Sequence, residues 1–318
     1  MSSKSRPQSD GLRALCQIQR TETVEAAIRA ACLQLLKSCN VSEPPIPLKP
    51  LCRSLGVNFK WSRSHFKVGA GNASLNYCND GLAIYIHEKT GLENWRRTRF
   101  SIAHELVHAL ILNVLGNGKL IASLDETKEA TAQLEKICNI GAAELLMPTN
   151  MMRKAIRQRK LVPEVLSSLY DKFLVSREAL IWRIATLRPN SSAITWRRYA
   201  RHGSESSCFR VLSCYPPYGK SNSRPWLPKG ATTKHVEPDL IDLVANDRTE
   251  QWADHLLLEL RGRVWNCEAL ATFFPTREDS ARQPKFEGFL VPDEKSPHWN
   301  SDVIMFATKK DGVNAKTC

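Results

Sequence analysis

The run Arg99–Leu115 constrains the fold more than any other part of the chain. From Phe100 to Leu115 it is apolar on nearly every face, so a helix here has no solvent side and must be buried. Within that helix sit His104, Glu105 and His108, the pattern H-E-x-x-H. Burying two imidazoles and a carboxylate is costly unless each finds a partner. Histidines four apart lie on one helix face, one turn separated, so both rings can reach a single zinc ion. The glutamate between them projects beside that ion, where it can take a proton from water. The plainer reading, two buried histidines satisfied by backbone carbonyls, leaves the glutamate without a role.

Composition fits such a helix to an ordinary globular protein. The chain has 318 residues, 42% hydrophobic and 24% charged, which excludes wholesale disorder, collagen and coiled coil. That length suggests two domains, or one with a sizeable annex. The longest apolar stretch, Ala109–Leu115, is interrupted by Asn113 and is too short for a membrane span. Met1–Gly11 carries Lys4 and Arg6 with no apolar core behind them, so no signal peptide is expected and the protein reads as cytoplasmic. The 10 cysteines include no C-x-x-C pair, which points to reduced thiols rather than a cysteine zinc site or a disulfide framework. Of the net charge of +13, residues 151–220 carry 14 Lys/Arg against 4 Asp/Glu. Such an excess suits an anionic partner surface, nucleic acid or acidic protein, or simply a solvated face.

Along the chain, residues 1–22 read as a flexible tail and Thr23–Ser38 as a helix. Pro44, Pro45, Pro47 and Pro50 mark a connector, followed by a helical turn over Leu51–Leu55 and a strand over Gly56–Trp61. Residues 72–87 predict a hairpin turning at Asn79-Asp80-Gly81. The buried helix covers about 93–115, and the next runs over Leu124–Met147, with Asp125 and Glu126 in its first turn and Pro148 after it. Met151–Leu187 stays helical, broken near Leu161–Pro163. Its last section reads as helix, short turn, helix, with Ser176 as N-cap. Strands are expected at Phe209–Tyr215, His255–Leu260, Val264–Phe274, Phe286–Val291 and Val303–Ala307, with a loop at Pro216–Gly230. A domain boundary is placed near 190. The fold class is therefore α+β: a core over 23–150, a helical extension over 151–189, and a β-rich region of unassigned role over 190–318.

Zinc in a catalytic site takes three protein ligands and leaves the fourth position open. An extended metzincin pattern would need Gly at 111 and His at 114, but Ile111 and Val114 stand there. No histidine follows until His202, beyond the helical segment. An acid on the next helix is the better candidate, from Asp125, Glu126, Glu129, Glu135 and Glu144. Glu135 lies mid-helix amid Leu134, Ile137 and Ile140, with Asn139 one turn later to orient a ligating side chain. Dipole complementarity is enough to explain Glu126 and Glu129.

Arg-Phe-Ser-Ile-Ala-His-Glu-Leu-Val-His at 99–108, then Glu135-x-x-Cys138-Asn139 and Ala142-Ala143-Glu144-Leu145-Leu146-Met147-Pro148, resembles the ImmA/IrrE-type metallopeptidases. That family has R-F-[ST]-x-A-H-E-x-x-H followed by E-x-x-A-N-x-x-A-A-x-L-L-M-P. The match covers roughly residues 50–150, with two motifs in the right order and distance. The resemblance implies a zincin-like core in which His104, His108 and Glu135 bind zinc and Glu105 is the catalytic base. It also implies a cytosolic endopeptidase that cleaves a helix-turn-helix repressor and so derepresses genes. Two departures stand out: Val107 replaces the usual glycine beside a ligand, and Cys138 replaces the usual alanine.

For an oxyanion donor, Tyr77, Tyr85, His87 and Tyr170 qualify by type, and spacing selects none. Phe173-Leu174-Val175-Ser176-Arg177-Glu178-Ala179-Leu180 resembles the turn and recognition-helix start of a helix-turn-helix. If the chain were instead a DNA-binding regulator with a structural or vestigial zinc site, Arg177 and Arg183 would approach the duplex. The expectation is weak, sequence-independent DNA binding. Trp196-Arg197-Arg198-Tyr199-x-Arg201 mixes charge with aromatics in the manner of nucleic-acid sites, but a strand end with solvated arginines explains it as well.

Overall fold

A computed structural model describes residues 7–62, 72–79, 81–87, 95–116, 118–157, 163–188, 191–200, 207–215, 251–260, 263–275, 285–286, 289–290 and 299–309. It is α+β: mostly helical to residue 188, with a small mixed sheet. The chain divides into two compact units. The first comprises Met1–Met152, Asp171–Ser176 and Ser280–Pro292, and the second Arg153–Tyr170, Arg177–Asp279 and Asp293–Cys318. No division falls near 190.

In the first unit, α1 (Asp10–Ile18), α2 (Val24–Ser38) and α3 (Leu48–Ser54) lead into the sheet. The tail expected over 1–22 is thus a correction. Ser9 caps α1 by accepting from the Leu12 N–H, and Leu12 and Leu15 are fully buried. The signal is present in the sequence, since Leu12, Leu15 and Cys16 stand at helical spacing behind the Ser9 cap, but over only nine residues. Strands β1 (Val57–Ser62), β2 (Ala73–Cys78) and β3 (Gly81–His87) form a sheet ordered β1-β3-β2. β1 pairs with β3 parallel and β2 pairs with β3 antiparallel, so β2 is an edge.

Alternation along these strands puts Val57, Ala73, Ile84 and Ile86 on one aliphatic, buried face. The long helix α4 (Trp95–Leu115) packs against β2 and β3. After α5 (Gly118–Ala122) and a 3₁₀ turn at Ser123–Asp125, helix α6 (Lys128–Leu146) packs on α4 and α2. Its start differs from the expected Leu124. Thr127 is the cap, accepting from the Ala130 N–H at 3.1 Å, and Asp125 and Glu126 lie outside the helix.

Pro148 separates α6 from α7 (Thr149–Ile156). The joint is fastened by Glu144, fully buried, whose carboxylate accepts from the Thr149 N–H at 2.7 Å and its hydroxyl at 2.8 Å. Arg29 pairs with the same carboxylate at 3.4 Å. Glu144, one of the acids weighed as a ligand, is thereby a helix cap.

Helices α8 (Pro163–Phe173) and α9 (Arg177–Leu187) match the helix-turn-helix reading in outline. Their turn is a core element: Phe173 and Val175 are fully buried, and Leu174 takes a left-handed φ of 50°. Arg99, fully buried on α4, holds it by donating from Nε to the Leu174 carbonyl at 3.2 Å and from Nη2 to the Ile46 carbonyl at 2.9 Å. Arg96 pairs with Asp171 at 3.0 Å. In the second unit Arg183 is fully buried, and the Arg177 guanidinium lies over the Tyr170 ring, 5.1 Å from its centroid. The alternative reading as a DNA-binding regulator needs both arginines at a duplex, and Arg183 is buried instead.

The second unit also holds β4 (Ser191–Ala200), β5 (Ser207–Tyr215), β6 (Gln251–Leu260), β7 (Arg263–Pro275) and β10 (Trp299–Lys309) in one antiparallel sheet ordered β5-β4-β10-β7-β6. β8 (Lys285–Phe286) and β9 (Phe289–Leu290) pair separately. The loop expected at 216–230, and the side chains of Trp196 to Arg201, lie outside the described residues.

Candidate metal centre

Helix α4 has an apolar surround on most sides, and its donors leave it toward α6 and toward β2. On the α6 side three side chains converge, through two ring nitrogens and the two oxygens of one carboxylate. His104 Nε2 and His108 Nε2 are 3.2 Å apart. Glu135 Oε2 lies 3.2 Å from the first and Glu135 Oε1 3.4 Å from the second. Donor atoms about 2.0–2.1 Å from a tetrahedral ion stand about 3.3 Å from one another, so this triangle has the size of a zinc ligand set. Two ring nitrogens this close need a proton or a cation between them, since two lone pairs facing each other repel.

The orientation of His104 is fixed from behind. Asn139, one turn after Glu135, places Oδ1 3.1 Å from His104 Nδ1, so Nδ1–H donates and Nε2 keeps its lone pair for the triangle. Sequence reasoning had marked Asn139 for this position. The electrostatics agree with the geometry. Hydrogen bonds from His104 and His108 hold the Glu135 carboxyl well below the usual carboxylate range. Burial alone would lower the His104 pKa, but its bond to Glu135 and the charges of Glu105 and Glu135 outweigh burial and raise it. Both shifts reflect negative charge seeking positive, which a divalent cation supplies more strongly.

Cys138 lies on the same turn of α6, with Sγ and a ring nitrogen of each histidine all within 4.8 Å of one another. It is fully buried, and burial pushes its thiol well up. Glu135, half-exposed, brings its oxygens to 3.2 and 3.4 Å from the two ring nitrogens, closer than the 4.8 Å that bounds the group with Cys138. Asp125, Glu126 and Glu129 are exposed, and Glu144 is committed to α7.

On the sheet side, Glu105 Oε2 accepts from the Leu75 N–H at 2.9 Å. Burial raises the Glu105 carboxyl above its ordinary value, while His108, His104 and the Leu75 amide pull it back. Sequence reasoning missed this contact, because a backbone amide carries no side-chain signature. Of the possible oxyanion donors, Tyr85 and His87 stand on the sheet face opposite Leu75, Ile84 and Ile86. Tyr85 meets the Cys78 sulfur at 3.0 Å. Tyr170 lies against Arg177. Only Tyr77 shares the face of Leu75.

α4 and α6 are in tight contact at Val107, where the sequence departs from the family pattern. A Cβ added to Gly141 would stand 2.8 Å from both Val107 Cγ1 and Cγ2 and 3.1 Å from Ile28 Cγ1. The branches of Val107 therefore fill the space a side chain at 141 would need, and the histidines keep their distance from Glu135.

Residues 78–185 match the model of the IrrE N-terminal-like domain, a peptidase family. The radiation response metalloprotease IrrE of Deinococcus deserti is 32% identical over 92 residues, 28% of this chain. The chain spans about a third of that curated relative's length, the aligned part being 32% of it. A solved structure, a Mycobacterium tuberculosis transcriptional regulator, covers 96% of this chain and 82% of its own, at 14% identity. Its TM-score of 0.48 is too low to bear on the fold. The three converging donor side chains stand on two helices inside the stretch that matches the IrrE N-terminal-like domain, so over residues 78–185 the chain is similar to the ImmA/IrrE-type family.

Proposed function

We propose that the chain is a zinc-dependent endopeptidase with a zincin-like core, in which His104, His108 and Glu135 hold the metal and Glu105 is the general base. The observation that carries this is the convergence of three donor side chains, with contacts of 3.2, 3.2 and 3.4 Å between them. Zinc held there supplies Lewis acidity to the scissile carbonyl and lowers the pKa of water toward about 7. Glu105 accepts a proton at its carboxylate and hands it to the leaving amine. The Leu75 N–H keeps that carboxylate turned to the edge strand, and Asn139 keeps His104 in the tautomer whose Nε2 is a donor.

The substrate side is the outer edge of β2. The Asn72 carbonyl accepts from the His87 N–H, so in this register the even-numbered residues bond to β3. Ala73, Leu75 and Tyr77 turn their backbone groups outward; the Leu75 N–H is taken by Glu105, and the flanking groups of Ala73 and Tyr77 are where an extended peptide can add as a further strand. A protein segment is therefore the fitting substrate. A helix-turn-helix repressor is the one the family resemblance implies, with derepression of genes as the outcome and the cytoplasm as the setting. Among the described residues no helix is long and apolar enough to cross a membrane.

The test is zinc analysis of the purified chain together with proteolysis of the repressor encoded beside it. Glu105→Gln keeps the shape and all three ligands, but an amide cannot take the proton. Bound zinc with abolished cleavage supports the assignment; undiminished cleavage by the Gln variant removes Glu105 as the base.

A further inference from the structure

Two hydrogen bonds set the alignment of β2 along α4. Asn72 Nδ2 donates to Thr98 Oγ1 at 3.0 Å, and the Leu75 N–H donates to Glu105 Oε2 at 2.9 Å. Going from Asn72 to Leu75 advances about 10 Å along an extended chain, and from Thr98 to Glu105 about 10.5 Å along a helix. Strand and helix therefore run side by side in the same direction. Two residues further along β2, about 6.6 Å, corresponds to about four residues of helix. That brings Tyr77 level with His108 and Ala109, one turn beyond Glu105. Tyr77 shares the sheet face of Leu75, Ile84 and Ile86, the face that carries the buried aliphatic side chains. Its side chain is 75% exposed, the most exposed large apolar residue among those described. An aromatic ring exposed on an edge strand, level with a candidate ligand, has nothing among the described residues to account for it.

We infer that Tyr77 is a substrate-contacting residue. Its ring covers the side of a peptide laid along β2, and its phenol O–H donates to a peptide carbonyl next to the bond being cut. This rests on the peptidase reading above and adds to it the side chain that grips the peptide. Tyr85 and His87 stand on the other face and cannot share the role.

Calorimetry on the zinc-loaded chain with two hydroxamates tests it: acetohydroxamate, which engages the metal alone, and an N-acetylated tripeptide hydroxamate with apolar side chains. Wild type should bind both, the tripeptide more tightly. Tyr77→Ala should weaken the tripeptide hydroxamate about tenfold and Tyr77→Phe about threefold, the latter being the share of one hydrogen bond. Both variants should hold acetohydroxamate as wild type does, and both should fold, since the side chain is exposed. Trp61, 42% exposed on the opposite edge strand, is the control: Trp61→Ala should change neither affinity. The inference is overturned if the Tyr77 variants bind the tripeptide as wild type does, or if Trp61→Ala weakens it equally. Failure of wild type to bind acetohydroxamate would instead overturn the metal reading, and this inference with it.

Discussion

Helices α4 and α9 each bury an arginine completely within an apolar surround, yet only α4 sends donor atoms to a common point. In α4 the buried guanidinium of Arg99 is spent on two backbone carbonyls from distant segments, which clamps the helix from behind. With its back fixed, its front can present His104 and His108 to α6 at donor spacing. In α9 the cations that looked available for an anionic partner are turned inward, Arg183 into the core and Arg177 onto Tyr170. A basic segment in the sequence is thus not a basic surface until burial is known.

The sharpest way to break this contrast is at the donors. Zinc content, measured by atomic emission, should be about one ion per chain and should be lost in His104→Ala and Glu135→Ala. Cys138→Ala should retain it. Retention by Glu135→Ala with loss in Cys138→Ala would mean that α6 binds through sulfur. Given a cleavable substrate, Glu105→Gln should slow turnover about 10²–10⁴-fold with the metal in place.

The clamp comes next. Arg99→Met removes two charge-assisted donors and leaves two buried carbonyls wanting, so urea denaturation should show a loss of about 3 kcal/mol or more. Arg99→Lys should recover little, because an ammonium cannot reproduce the guanidinium fork. Near-native stability of Arg99→Met would show that the α8–α9 turn does not depend on α4.

Packing between α4 and α6 should give a smaller effect. Gly141→Ala drives a methyl into Val107 and should cost about 1–3 kcal/mol. Adding Val107→Ala should restore most of it, a coupling that a double-mutant cycle reads directly. Additive losses would place the strain at Ile28 instead. The smallest effect is expected at Arg177. Its contact with Tyr170 is worth about 0.5–1 kcal/mol, and Arg177→Ala should leave retention on a DNA column unchanged. A clear fall in DNA retention would restore a nucleic-acid role to the hairpin.

Much of the site was legible because its chemistry is carried by side chains at helical spacing. H-E-x-x-H in an oily run put His104, Glu105 and His108 on a buried helix, and the structure has them on α4. Glu135 was only one of five acids until the motif around it was recognised, because the turn between α4 and α6 sets which acid arrives, and no local rule encodes that turn. Leu75 was out of reach: its contribution is an amide, placed by strand register. Helix α1, only nine residues long, and the start of α6 were both readable in principle from ordinary N-cap residues, Ser9 and Thr127.

The tight fit of Val107 against Gly141 also bears on how such a chain can change over generations. A lineage carrying valine at 107 has no neutral single step to a larger residue at 141, since the intermediate must tolerate overlapping atoms beside a ligand. A glycine at 107 would open that path, and a side chain at 141 could then follow. Among relatives the two positions should therefore trade volume as a pair, and a sequence with bulk at both should have moved its helices apart and lost the spacing between His104, His108 and Glu135.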